Sequence, residues 1–384
     1  MIYYFTILFF TFVSQFIFNK LSIKNGKVYK VTFYLVLCLF MCFGYMCGTD
    51  WRGYERLYEG NMSYISLDRD VEVGYDLYMQ LFQILNVSFW PFFIITKIII
   101  LLIFIIAIER YAATNTVFFV WTFFLAIAGF YLWIDNPMRN LIAIAIFYLA
   151  MPALQKRNLV IYLLWTALAC MFHATAIIMF FFYLIINLKF KYYQIIILIV
   201  LANILFSDIN IIFFVGKQFH LISKLIDKIE LYELLYDKPP GLFSIGFIMH
   251  NIIFFLILLQ KNKFYKLKNG VMLFNFSFLF VVMYRLSLTF IVANRFFYMI
   301  TPLYAISIFM LFKIIYHNKL YKQLLLVTGV LMFTLFSTYN KVTGDYRYIP
   351  YTNYLSYIFR EKPSAFYRDR YNKIYSPYEN KEME

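Results

Sequence analysis

The feature that most restricts this chain is a succession of long apolar runs, each bounded by charges or by Asn, Pro or Gly. They lie at 2–18, 31–47, 91–108, 117–134, 139–154, 159–172, 174–188, 194–206, 242–259, 271–290, 296–312 and 323–338. A hydrocarbon core about 30 Å thick is crossed by about 20 mostly apolar residues in a helix. The expected fold class is therefore all-α, a polytopic transmembrane helical bundle of about 12 spans with outer-face loops and a Tyr-rich outer C-terminal tail. The first run has no basic segment before it and no small-residue cleavage site, so it reads as an uncleaved helix. No Gly/Ser linker or strong repeat divides the chain. Residues 1–338 read as one membrane domain with outer loops 48–90 and 207–241, and 339–384 as the tail.

Composition agrees. Only 14% of residues are charged and mean hydropathy is +0.71, against roughly 25% charged in soluble domains, which excludes a water-soluble enzyme and a disordered chain. The net charge of +15 suggests nucleic acid only until its distribution is read. With the N-terminus outside, the connections 19–30, 109–116, 155–158, 187–193, 260–270 and 313–322 hold 16 Lys/Arg and one acid, Glu109. The opposite face holds 18 basic residues and 19 acids. This is the positive-inside signature of a multi-pass protein with both termini outside, and no nucleic-acid partner is called for. Cys38, Cys42, Cys47 and Cys170 lie in or beside apolar runs, without metal-ligand spacing, and read as packing residues.

Ionisable residues near membrane depth point to function when they face a bundle interior, and here they gather at the outer face. Asp135-Asn136-Pro137-Met138-Arg139 reads as a helix start: Asn136 as N-cap, Pro137 at the first position, Arg139 in the first turn. Free backbone N–H groups with an arginine make an anion site. Ala293-Asn294-Arg295 repeats the arrangement on a later inward-running span. The bland reading for either arginine is snorkelling to lipid headgroups, which is also the default for Lys97.

His173, at an outer turn between two apolar runs, can exchange a proton near neutral pH, as a general base must; the bland reading is a helix cap. His250, beside Asn251 in a span, reads as an interhelical hydrogen-bonding residue. His220, within Lys217-Gln218-Phe219-His220, and His317 have no partner legible in the sequence. The first outer loop offers Gly48-Thr49-Asp50-Trp51-Arg52-Gly53-Tyr54, then Asp68-Arg69-Asp70-Val71-Glu72-Val73-Gly74-Tyr75. A carboxylate among aromatics suits a sugar, with ring stacking on one side and hydroxyl hydrogen bonds on the other. The alternating acids Asp68, Asp70 and Glu72 read as a solvated loop rather than a metal site.

In order and spacing these pieces resemble the EpsG/Wzy family of bacterial exopolysaccharide and O-antigen polymerases. The matching residues are Gly48-Thr49-Asp50-Trp51 with Tyr54 and Tyr58, Glu72-x-Gly74-Tyr75, Met138-Arg139-Asn140-Leu141-Ile142-Ala143 running to Lys156-Arg157, Phe172-His173-Ala174-Thr175-Ala176, Asn294-Arg295-Phe296-x-Tyr298, and Tyr348-Ile349-Pro350-Tyr351. The chain departs from the family pattern with Trp51 in place of a commoner Tyr and with a long segment after Tyr351.

The resemblance implies an inner-membrane glycosyltransferase acting at the periplasmic face, where both termini would lie. Its substrate and partner would be an undecaprenyl-diphosphate-linked oligosaccharide in the lipid bilayer, with a chain-length regulator and a flippase as further partners. No cofactor or metal is called for. Arg139 and Arg295 would bind pyrophosphate; His173, or else Asp50 or Glu72, would be the catalytic base; Trp51, Tyr54, Tyr75, Asn136, Asn294 and Tyr298 would contact sugar. The alternatives are a lipid-linked-glycan ligase and, in another class, an oligosaccharide-lipid flippase or transporter. Charges near the midplane and repeated halves mark transporters, whereas here the charges collect at one face.

Overall fold

The computed structural model describes residues 1–60, 72–207, 244–290, 293–315, 320–343, 345 and 347–363. The readings that involve Asp68, Asp70, His220, His317 and the tail beyond 363 lie outside these. Among the described residues the chain is helical, with no strand. The helices are α1 Ile2–Phe18, α2 Ile23–Met41, α3 Asp50–Tyr58, α4 Val73–Ile84, α5 Phe89–Tyr111, α6 Val117–Phe124, α7 Met138–Gln155, α8 Leu159–Phe172, α9 Ile178–Ile185, α10 Tyr192–Leu205, α11 Ile245–Leu259, α12 Gly270–Ser287, α13 Asn294–Ile315 and α14 Leu320–Val342. Each of the apolar runs falls on a helix. By length and composition α5, α7, α12 and α13 suffice to cross a membrane, and several shorter apolar helices accompany them. The chain is a helical membrane protein. Two helices, α3 and α4, were not expected: they fold inside the first outer loop.

The helices form two compact units, residues 1–180 with 320–384, and residues 181–319. In the first, α7 and α8 run antiparallel and pack closely, α4 rests on α8, and α1, α6 and α14 form a second group. Hydroxyls inside these helices return their hydrogen to the preceding turn, as Thr96 does to Phe92 O and Thr122 to Phe118 O, so they remain satisfied in an apolar setting. Beyond Phe124 the helix widens into π turns at Leu125–Gly129 and Tyr131–Asp135. A π turn shifts the hydrogen-bond ladder, and the half-buried Lys341 ammonium donates to the carbonyls of Ala126 (3.1 Å) and Ile127 (2.8 Å). Lys97, expected to snorkel, is instead fully buried with its Nζ 4.7 Å from the Phe93 ring centroid.

Polar contacts gather at the two ends of the first unit. At one end Lys30 pairs with Glu109 and Tyr111 donates to Gln155. At the other, residues 347–354 strap the unit together. Tyr354 N–H donates to Phe43 O (2.7 Å), Tyr45 N–H to Thr352 O (2.9 Å) and Gly48 N–H to Arg347 O (2.8 Å), while the Tyr4 hydroxyl reaches Tyr348 O (2.7 Å). In the second unit α12 and α13 pack antiparallel, Ser307 bridges them by donating to Leu273 O (3.1 Å), and Asn275 caps the carbonyls of Ile185, Ile186 and Leu188.

Candidate active site

The site begins with chain geometry. Because α7 and α8 are antiparallel and joined by a short turn, the start of α7 and the end of α8 share one end of the first unit, which brings Arg139 and His173 to the same level. The residue before α4, Glu72, is carried between them by Gly74. A Cβ at that position would lie 2.8 Å from both Cβ and O of Met171, so only glycine permits this approach of α4 to the last turn of α8. Glu72 then bridges the pair: Arg139 Nη1 donates to its Oε2, and His173 Nδ1 lies 3.2 Å from its Oε1. Tyr54 of α3 accepts a hydrogen bond from the Arg139 backbone N–H (3.4 Å), its ring lies 5.4 Å from that of Tyr75, and Asp50 is close enough to influence both phenols.

The cluster is partly open, with side chains of Arg139, Glu72 and His173 exposed by 24%, 20% and 11%. Burial alone would push the Glu72 carboxyl up, but the His173 hydrogen bond and the Arg139 charge outweigh it and hold it down at about 2. Glu72 is thus an anion at neutral pH and a poor proton acceptor. A histidine that donates from Nδ1 to a carboxylate carries its lone pair on Nε2, the arrangement that orients a general base. The Arg139 guanidinium has five N–H donors, so its bond to Glu72 leaves capacity for a second anion.

Other expected site residues fall nearby in different roles. Asn136 is not the N-cap of α7. It ends the π turns in the left-handed conformation (φ 65°), and its amide donates to Cys47 O (2.9 Å) and Ile134 O (2.6 Å), while Pro137 precedes the helix. Trp51 is buried, its indole N–H donating to Gly48 O (3.1 Å). Gly48 has φ +76°, and a Cβ there would sit 2.4 Å from Ile134 O. That approach lets Thr49 donate to Asp135 Oδ1 from both its N–H and its hydroxyl, each at 3.1 Å.

Asp135 belongs to a second ionic cluster, which sequence reading did not find. Arg347 of the strap reaches Asp135 Oδ2 at 3.3 Å and pairs with Asp345 at 2.5 Å. Burial holds the Asp135 carboxyl above its usual range, partly offset by Arg347 and Thr49. Glu55 was also missed: its Oε1 accepts from Trp90 Nε1 (2.9 Å), and burial together with Glu59 lifts its carboxyl to about 7. One acid among the seven of the first outer loop carries no signal that separates it from the others.

In the second unit Asn294 and Arg295 open α13 and are half-buried, and Tyr298 is buried one turn on. His250 is buried among Phe280, Tyr284 and Tyr304, with Nδ1 3.3 Å from the Tyr304 hydroxyl. Among the described residues no group of three His, Cys, Asp or Glu is placed to hold a metal.

A family model described as "EpsG family" matches residues 27–355 of the chain. No curated protein and no solved structure matches it.

Proposed function

The chain belongs to the EpsG family, and from that premise we propose that it is a polysaccharide polymerase of the bacterial inner membrane. In this reading it spans the bilayer about 12 times with both termini periplasmic, and it joins undecaprenyl-diphosphate-linked repeat units at the periplasmic face. The observation that carries the chemistry is Glu72 held between Arg139 and His173 at the outer end of α7 and α8.

The reaction needs a base for the acceptor sugar hydroxyl and fixed positive charge for the departing lipid diphosphate. His173 Nε2 takes the hydroxyl proton as the oxygen bonds to the anomeric carbon, and Glu72 orients the ring and stabilises the imidazolium. The anomeric carbon–oxygen bond to the diphosphate breaks with its electron pair leaving on that group. Arg139, at a helix start whose backbone N–H groups also favour an anion, meets the charge as it develops. Tyr54 and Tyr75, with Asp50, wall the sugar side. For Arg295 and Asn294 at the start of α13 we propose a phosphate contact in the second unit. A flippase that supplies the substrate and a chain-length regulator are the partners this reaction would require.

The test is the glycan ladder from a strain lacking the gene and complemented with wild type, Arg139→Ala or His173→Ala. Single repeat units in the deletion, and long chains only with wild type, support the polymerase. Long chains in the deletion would remove it.

A further inference from the structure

The strongest unexplained feature outside the cluster is Arg285, in the last turn of α12. The side chain is 2% exposed, and only one of its nitrogens is accounted for: Nη1 donates to the Thr289 hydroxyl at 3.0 Å, which in turn donates to Phe206 O. Nε and Nη2 are buried without a hydrogen-bond partner. No Asp or Glu occurs among the described residues of the second unit, so none of them supplies a countercharge. A guanidinium stays charged in any protein setting, and a buried charge with orphaned donors is strongly unfavourable unless something pairs with it. The negative end of the α12 dipole offsets part of the charge but satisfies neither donor.

The bond to Thr289 holds the guanidinium at the C-terminal end of α12, and α13 begins at Asn294 a few residues on. That helix has 22 residues, and its first turn, with Arg295, supplies backbone N–H groups and a second positive charge at the same end of the antiparallel pair.

We propose that Arg285 anchors an oxyanion site at the paired ends of α12 and α13, built for a phosphate or diphosphate group. Planar donors presented in a fork match phosphate oxygens, which take up both orphaned N–H groups at once. That the phosphate is carried on a lipid rests on the function proposed above; that it is a phosphate-class anion does not.

The test uses the full-length protein in nanodiscs, in an Arg139→Ala background so that the first unit's arginine does not contribute. Binding of inorganic diphosphate and of farnesyl diphosphate is titrated, with sulfate as the control anion. Diphosphate is expected to bind in preference to sulfate, and Arg285→Met to weaken it roughly tenfold or more, with ligand-free thermal stability equal to or above that of its parent. Arg285→Lys retains the charge without the fork and should bind at an intermediate level, which keeps the test open if the Met variant does not insert. Tighter binding of farnesyl than of inorganic diphosphate supports a lipid-borne phosphate; equal binding supports the site with a free phosphate.

Diphosphate binding unchanged in Arg285→Met or Arg285→Lys, or no preference over sulfate, overturns the proposal. In the Arg139-intact protein the ladder separates the two claims. Weakened binding with long glycan retained upholds the site and counts against its use in polymerisation. Unchanged binding with glycan lost overturns the anion site and leaves the polymerase reading standing.

Discussion

Two arginine–carboxylate clusters sit at the same end of the first unit and share a helix junction, yet they are built for different work. In the Asp135–Arg347–Asp345 cluster the central carboxylate is 8% exposed, and both of its oxygens are engaged, one by Thr49 and one by Arg347. Both carboxylates are taken up by fixed donors, and the result is a clasp holding the strap against the end of the π turns. In the Glu72–Arg139–His173 cluster the central carboxylate is 20% exposed, one member is a histidine that can exchange a proton, and the arginine's bond to Glu72 leaves donors in reserve. The same residue types thus make a fastening where the carboxylate is buried against fixed donors and a candidate reactive site where it is more open and shared with a histidine.

Breaking the open cluster should have the largest effect on chemistry. His173→Ala is expected to slow chain extension by roughly 10²- to 10⁴-fold with insertion intact and only the stability of its bond to Glu72 lost; turnover unchanged in a reconstituted assay would move the base elsewhere, with Asp50 next in line. Breaking the clasp should do the reverse. Asp135→Ala leaves Arg347 paired with Asp345 but frees the strap, and a loss of about 2–3 kcal/mol is expected, at the low end for a buried pair because Arg347 remains partly solvated. Thermal unfolding in detergent reads this, and activity per folded molecule should hold.

A smaller effect is expected from Gly74→Ala. The added methyl forces α4 away from Met171 and draws Glu72 off His173, which should reduce extension about tenfold, the equivalent of roughly 1.4 kcal/mol. Wild-type rates in that variant would show that the Glu72–His173 contact is dispensable. The smallest is a pH effect. The Glu72 carboxyl is depressed from 4.5 to about 2, so the stability it contributes is fully present above pH 4.5 and is lost as pH falls toward 2. The gap in thermal stability between wild type and Glu72→Gln should therefore be present at pH 7 and close across that window; a gap that widens with acid would contradict the assignment.

The comparison also shows what the sequence made legible. Apolar runs were enough to place the main helices, because backbone satisfaction in lipid leaves few other solutions. Arg139 stood out as the arginine of an Asn-Pro helix start, and His173 as an isolated polar group between two apolar runs. Their bridge through Glu72 was hidden, since it depends on a glycine-sized approach between α4 and α8, helices that belong to different stretches of the chain. The clasp was hidden for the same reason: Asp135 and Arg347 are separated by 212 positions, and nothing local to Arg347 marks its partner. Asn136 was read as a cap because its residue type favours one, whereas the π turns before it needed a left-handed stop, which asparagine also provides. Arg285 is an arginine at the end of a span, and its meaning lies in the partners it lacks, a property no single sequence displays.

The most direct test of the division between the clusters is chain extension per folded molecule in proteoliposomes supplied with lipid-linked repeat units, comparing Arg139→Ala with Arg347→Ala. The account predicts that Arg139→Ala remains folded at the assay temperature and extends at least about 10²-fold more slowly, while Arg347→Ala unfolds at lower temperature and its folded fraction extends at the wild-type rate. Wild-type extension by Arg139→Ala, or loss of extension by well-folded Arg347→Ala, would contradict it.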